Sequence, residues 1–188
     1  ILSGLVGSEM CIRDRTYTKI CNDLRWMNSG PISGLAEISL KPLQPGSSIM
    51  PGKINPVIPE AVLMAMTQVS GHHSSTISGC MSGNFQLNTM LPIIAHNLID
   101  SFNLIINSTF ALVETINTFK VNKSNIKDNL EKNPIIATKL NEVIGYDQSA
   151  AIVKEAYKTN KSIIEIALEK TELSKSQLLK ILDPKKLI

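Results

Sequence analysis

Aromatic residues are scarce in this chain: Phe, Tyr and Trp together make up 4% of its 188 residues. With 43% of the chain apolar, a core must be assembled from Ile, Leu, Val, Met and Ala. Such side chains suit helices packed on helices. Cysteine is scarce too. Cys11, Cys21 and Cys80 are odd in number and form no C-x-x-C pair. That excludes a disulfide framework or zinc site and points to reduced thiols in a reducing, cytoplasmic compartment. No apolar run approaches the ~18 residues that a membrane-crossing helix needs. The chain does not begin with Met, and Ile1 to Leu5 lacks the basic start and long apolar stretch of a signal peptide. Charge of one sign is not in excess either: 19 Lys and Arg against 16 Asp and Glu leave a net +3. Without a basic strip interleaved with aromatics, nucleic acid has no support as a partner. The lysines of the C-terminal part read as a solvated helix surface.

What is present reads as an all-α chain in two parts. Residues 1–15 (ILSGLVGSEMCIRDR) fit nothing that follows and are set aside as non-native, a tag or a scar. From Thr16 to Asn28 the spacing of Ile20, Leu24 and Met27 predicts a helix, stopped by Ser29-Gly30-Pro31. Residues 31–58 are too rich in Gly, Pro and Ser for regular structure. Pro59-Glu60 marks a helix start, and the apolar run Ala61 to Met66 predicts a helix buried on every face. Gly79 to Gly83 reads as a turn, followed by a helix from Phe85 to about Phe119 with a bend at Pro92. Long helices joined by little loop predict a bundle over residues 16–121. A boundary near 121–124 then introduces short, charged helices over 122–188. There Asp147 reads as a helix cap, Ser162–Glu165 and Ser174–Gln177 as capping boxes, and Asp183-Pro184 as the last stop.

The loop 46–56 has the most to say about function. Gly46-Ser47-Ser48-Ile49-Met50-Pro51-Gly52-Lys53-Ile54-Asn55-Pro56 shows no apolar periodicity, yet sets hydroxyls, a lysine and an amide between glycines and prolines. It is not a phosphate-binding P-loop, because five residues separate its glycines and Ile54 follows the lysine. It also lacks the G-x-S-x-G pattern of a hydrolase serine. Chemically, a serine held near backbone N–H groups and a lysine can be an activated hydroxyl. Lys53 and Asn55 would suit a carboxylate substrate. An exposed loop with helix-capping serines is the bland alternative on residue types alone.

The loop matches G-S-S-x-M-P-x-K-x-N-P, the signature of the fumarase/aspartase superfamily, at all eight fixed positions. Over about residues 19–188 the chain resembles class II fumarases in particular. The resemblance is carried by Lys19-Ile-Cys-Asn-Asp-Leu-Arg25, Ser29-Gly-Pro31, Glu37-Ile38, Ser82-Gly-Asn-Phe-Gln-Leu-Asn88, His96-Asn97 and Ile144-Gly-Tyr-Asp147. Aspartases share the loop and the KICNDLR segment but have Gly-Gln in place of Asn84-Phe85. The resemblance implies the later helices of the superfamily's central bundle plus a small C-terminal helical domain. It further implies a homotetramer that hydrates fumarate reversibly to malate without metal or organic cofactor. The other readings are an aspartate ammonia-lyase and a non-catalytic helical oligomerisation fragment.

By that resemblance Ser47 is the base that takes a proton from the carbon beside a malate carboxylate. Ser48, Lys53, Ile54 (through its backbone) and Asn55 contact the dicarboxylate. Glu60 pairs with a catalytic histidine, and the family's Thr-His and Ser-Ser-Asn segments are not found in these 188 residues. His72 and His73 match no catalytic motif and read as exposed or interface residues. His96 matches a histidine of a secondary anion site, although a buried, hydrogen-bonded helix histidine is the stronger reading. The spacing of the three suggests no metal site.

Overall fold

The computed structural model describes residues 2–184, with side chains from residue 11 onward. The chain divides into two compact units, Ile1–Val121 and Asn122–Ile188. Three long helices dominate the first: α1 (Leu2–Met27), α2 (Val57–Cys80) and α3 (Leu91–Thr118). Their common core comprises Cys21 and Leu24 of α1, Val62, Met66 and Val69 of α2, and Ile105 and Leu112 of α3. Burial pushes the Cys21 thiol up to about 11. Two short strands, β1 (Ile38–Ser39) and β2 (Lys120–Val121), pair antiparallel and add Ile38 to the core.

Helix α1 begins at Leu2, well before the predicted Thr16, because residues 2–15 contain no proline to stop it. Within that segment Asp14 is buried, and its Oδ1 has no hydrogen-bond partner among the described residues. Helix α2 is buried on one side only. Val62 and Met66 face the core while Met64 is 68% exposed, so the all-round burial expected of Ala61 to Met66 is not met within this chain.

The helix expected from Phe85 starts six residues later, and Pro92 lies in its first turn instead of bending it. The reason is local. Asn88 accepts from the Met90 N–H at 2.8 Å and donates to the Gly79 carbonyl at 3.0 Å, so one side chain closes α2 and opens α3. Between them Asn84 and Leu87 exchange backbone hydrogen bonds of 2.8 and 3.0 Å across a two-residue turn.

α2 and α3 meet along an unusually polar seam. Asn97 donates to Ser75 Oγ at 3.0 Å, and His72 Nδ1 lies 3.2 Å from Ser101 Oγ. Asn97 and Ser101 thereby find partners, which offsets their desolvation.

The second unit consists of α4 (Lys123–Lys132), a 3-10 turn (Pro134–Leu140), α5 (Asn141–Ile144), α6 (Tyr146–Thr159), α7 (Ile163–Lys170) and α8 (Lys175–Ile181). Leu140, Ile152, Ile163, Ile166 and Leu178 form its core. Both capping boxes are present: Ser162 accepts from Glu165 N and Ser174 from Gln177 N, with each partner side chain bonding back. The Ser162 hydrogen bonds hold the Glu165 carboxyl below its usual range. Asp147 lies in the first turn of α6 behind Gly145 as cap, and α8 ends at Ile181, ahead of Asp183.

Candidate active site

The loop 46–56 closes on itself before entering α2. Gly46 N–H donates to the Lys53 carbonyl at 2.9 Å, and Lys53 N–H to the Met50 carbonyl at 3.3 Å. Gly52, at φ +78°, supplies the left-handed residue that turns the chain back. Gly46 is required for space: a Cβ there would sit 2.5 Å from the Lys53 carbonyl oxygen. Asn55 ties the base of the loop by donating its side-chain amide to the Gly46 carbonyl at 3.0 Å.

Ser47 follows this closure directly. Its Oγ accepts the backbone N–H groups of Ile49 and Met50 at 3.1 and 3.2 Å. Two donors aimed at one hydroxyl oxygen stabilise negative charge on it more than they stabilise the neutral hydroxyl. These donors are residues that the sequence reading did not single out. The available signal was a serine followed by a tight turn, whose hydroxyl commonly bonds the amides two and three residues on.

Ser47, Lys53 and Ile54 line one open hollow together with Met50 and Pro45. Ser48, Asn55 and Glu60 are not part of that lining. Glu60 sits in the first turn of α2, where the helix dipole favours a carboxylate. Among the described residues the side chains of Ser48, Lys53 and Glu60 have no hydrogen-bonding or ionic partner, so their polar groups are free to meet others.

The histidines lie elsewhere. His72 is fifteen residues into α2 from Val57, roughly 22 Å along the axis at 1.5 Å per residue. It is the hydrogen-bonded one, with Gln68 Nε2 at 2.8 Å from its Nε2 and Asp100 Oδ2 at 3.7 Å, in addition to Ser101. His96 is exposed on α3, its ring 6.5 Å from that of His72, which overturns the reading of His96 as a buried, bonded histidine. The cause is helical phase: Asn97, the next residue, faces α2, and one residue is about a 100° rotation. Among the described residues no group of three or more His, Cys, Asp or Glu could hold a metal ion, and no helix is long and apolar enough to cross a membrane.

Comparison with known proteins places these features. Residues 136–188 match the family described as Fumarase C C-terminus, and residues 15–71 match the family described as Lyase. A class II fumarate hydratase from Pseudomonas aeruginosa is 51% identical over 173 residues, covering 92% of this chain and 38% of the relative. An aspartate ammonia-lyase from a Bacillus species is 41% identical over 180 residues, covering 95% of this chain and 38% of the relative. In three dimensions, a Brucella melitensis crystal structure described as fumarate lyase:delta crystallin superposes with a TM-score of 0.89 at 38% identity, over 98% of this chain and 41% of that one. The chain thus spans well under half the length of the relatives it matches.

Proposed function

Because this chain belongs to the class II fumarase family of lyases, we propose that it is the part of a fumarate hydratase that carries the proton-abstracting serine. In the malate-to-fumarate direction Ser47 Oγ, as alkoxide, takes a proton from the carbon beside one carboxylate. The electron pair left behind spreads onto that carboxylate, then forms the double bond as the neighbouring hydroxyl, protonated by a general acid supplied from outside this chain, departs as water. The observation that carries this reading is the pair of N–H groups, from Ile49 and Met50, on Ser47 Oγ. They lower the cost of the alkoxide, without which serine is too weak a base.

Lys53 lines the same hollow and, in this reading, neutralises charge as it builds on the carboxylate. Ser48 and the Ile54 backbone complete the contacts to the dicarboxylate, while the Asn55 amide is committed to the Gly46 carbonyl. Glu60 orients a histidine supplied from outside this chain, consistent with a side chain that has no partner among the described residues. The parent assembles as a homotetramer: Ile99, Phe102, Ile106 and Phe110 form an exposed apolar stripe on α3 that further helices would cover. Its compartment is the reducing cytoplasm, in keeping with three free cysteines.

The second reading, deamination of aspartate by the same serine chemistry, is favoured by the 41% identity to an aspartate ammonia-lyase. Following fumarate by its ultraviolet absorbance in a longer protein containing this segment separates the two. Release from malate is expected; efficient release from aspartate with negligible release from malate moves the assignment to the ammonia-lyase.

A further inference from the structure

We propose that Asn55 is a positioning residue for Ser47, acting through the Gly46 peptide group; this rests on the reading of Ser47 as the base. Gly46 is held from both ends. Its N–H donates to the Lys53 carbonyl at 2.9 Å, and its C=O accepts the Asn55 side-chain amide at 3.0 Å. That carbonyl belongs to the peptide linking Gly46 to Ser47. Fixing its plane anchors the Ser47 N and Cα, leaving only rotations within Ser47 itself to bring its Oγ to the Ile49 and Met50 N–H groups.

Asn55 is able to do this because it is partly buried at the foot of α2, anchored by the neighbouring Pro56 and by Val57 N–H donating to its own carbonyl at 2.9 Å. The clasp thus couples a rigid helix start to a loop that otherwise lies in solvent, Ile49 being 86% exposed. One side-chain N–H is committed to Gly46. Only the other N–H and the carbonyl oxygen remain for a substrate, so positioning is the role the geometry assigns first.

Two measurements test this. Hydrogen exchange followed by mass spectrometry on the 188-residue chain reads the clasp without any reaction. The segment 46–51 is expected to be protected, and to exchange about tenfold faster in Asn55→Asp and Asn55→Ala while amides in the middle of α2 stay unchanged. Asp keeps the shape of Asn but turns an oxygen toward the Gly46 carbonyl, so the two variants agree only if the donor matters. An unprotected loop in the unaltered chain, or equal protection in all three, overturns the proposal.

In a longer, active parent, Asn55→Ala should lower kcat by roughly tenfold or more with KM within about twofold, Asn55→Gln should restore part of that loss, and Asn55→Ala should add little to Gly46→Ala. A raised KM with kcat retained, additive with Gly46→Ala, would make Asn55 a substrate contact and overturn positioning. Failure of the base reading looks different: full turnover by Ser47→Ala removes the reaction step while leaving the exchange result standing.

Discussion

Replacing Ser47 with alanine separates chemistry from architecture because the two effects differ in size. The hydroxyl takes part in two hydrogen bonds, from Ile49 N–H at 3.1 Å and Met50 N–H at 3.2 Å. Both donor residues are exposed, at 86% and 52%, so water replaces the lost acceptor. A net hydrogen bond is worth about 0.5–1.5 kcal/mol, and solvent-exposed ones sit at the low end. The ring closure through Gly46, Lys53 and Asn55 does not involve the Ser47 side chain and survives. A stability change below about 1 kcal/mol is therefore expected on urea denaturation. Catalysis should respond differently, since loss of a positioned proton-transfer group costs about 10²–10⁴-fold in rate. That is about 2.7–5.4 kcal/mol of barrier, several times the structural effect. Steady-state kinetics on a longer parent, with assembly checked by light scattering, reads the first quantity and denaturation the second. A properly assembled Ser47→Ala enzyme with near-normal turnover would refute the serine-base reasoning.

Two further outcomes follow from the geometry. The 188-residue chain by itself should turn over no fumarate, because its nearest candidate histidine, His72, is roughly 22 Å up α2 and already bonded to Gln68 and Ser101; measurable hydration by the pure chain would contradict this. Phe85→Asn should stabilise the chain by about 1 kcal/mol on urea denaturation, since Phe85 holds φ +51° with its ring fully exposed and Asn tolerates the left-handed region that costs other residues ~1–2 kcal/mol. A loss of stability would show that the ring contributes packing.

The loop and the capping boxes were legible because their information is local. Ser162–Glu165 and Ser174–Gln177 satisfy each other within one helical turn, so residue type and spacing determine the contact. The beginning of α3 was not legible, because the side chains of residues 85–90 imitate helical spacing while Asn88 spends its amide on two neighbouring backbones. The seam of α3 carries no local signal for a deeper reason. Its buried positions against the rest of the unit include Asn97, Ser101, Ser108 and Thr115, whereas Ile99, Phe102, Ile106 and Phe110 are exposed. Apolar periodicity thus points away from the observed seam, where His72, read as exposed or interface, meets Ser101, while His96, read as buried, lies exposed. A helix with its more apolar face outward has satisfied its neighbour through hydrogen bonds and left its larger hydrophobic area uncovered.

The placement of the two family-like motifs on α2 limits what either can do. Loop 46–56 enters the helix at Val57, and Ser82-Gly-Asn-Phe-Gln-Leu-Asn88 follows its end at Cys80. Twenty-four residues at 1.5 Å each put them about 36 Å apart. A small dicarboxylate beside Ser47 would be several-fold shorter than that rod. Within one chain the second motif therefore touches nothing that the first one binds. Side-chain contacts explain part of its composition: Asn88 ties α2 to α3, and the Asn84 side-chain amide donates to the Ser82 carbonyl at 3.3 Å. They do not explain Phe85, whose ring meets no part of its own chain although its backbone is held in a left-handed conformation. Difference from the aspartase pattern at Asn84-Phe85 is thus a statement about this far end of the helix. Within this chain the residues placed to bear on the Ser47 hydroxyl are those around the loop itself, where Lys53 and Ile54 share the hollow with the serine.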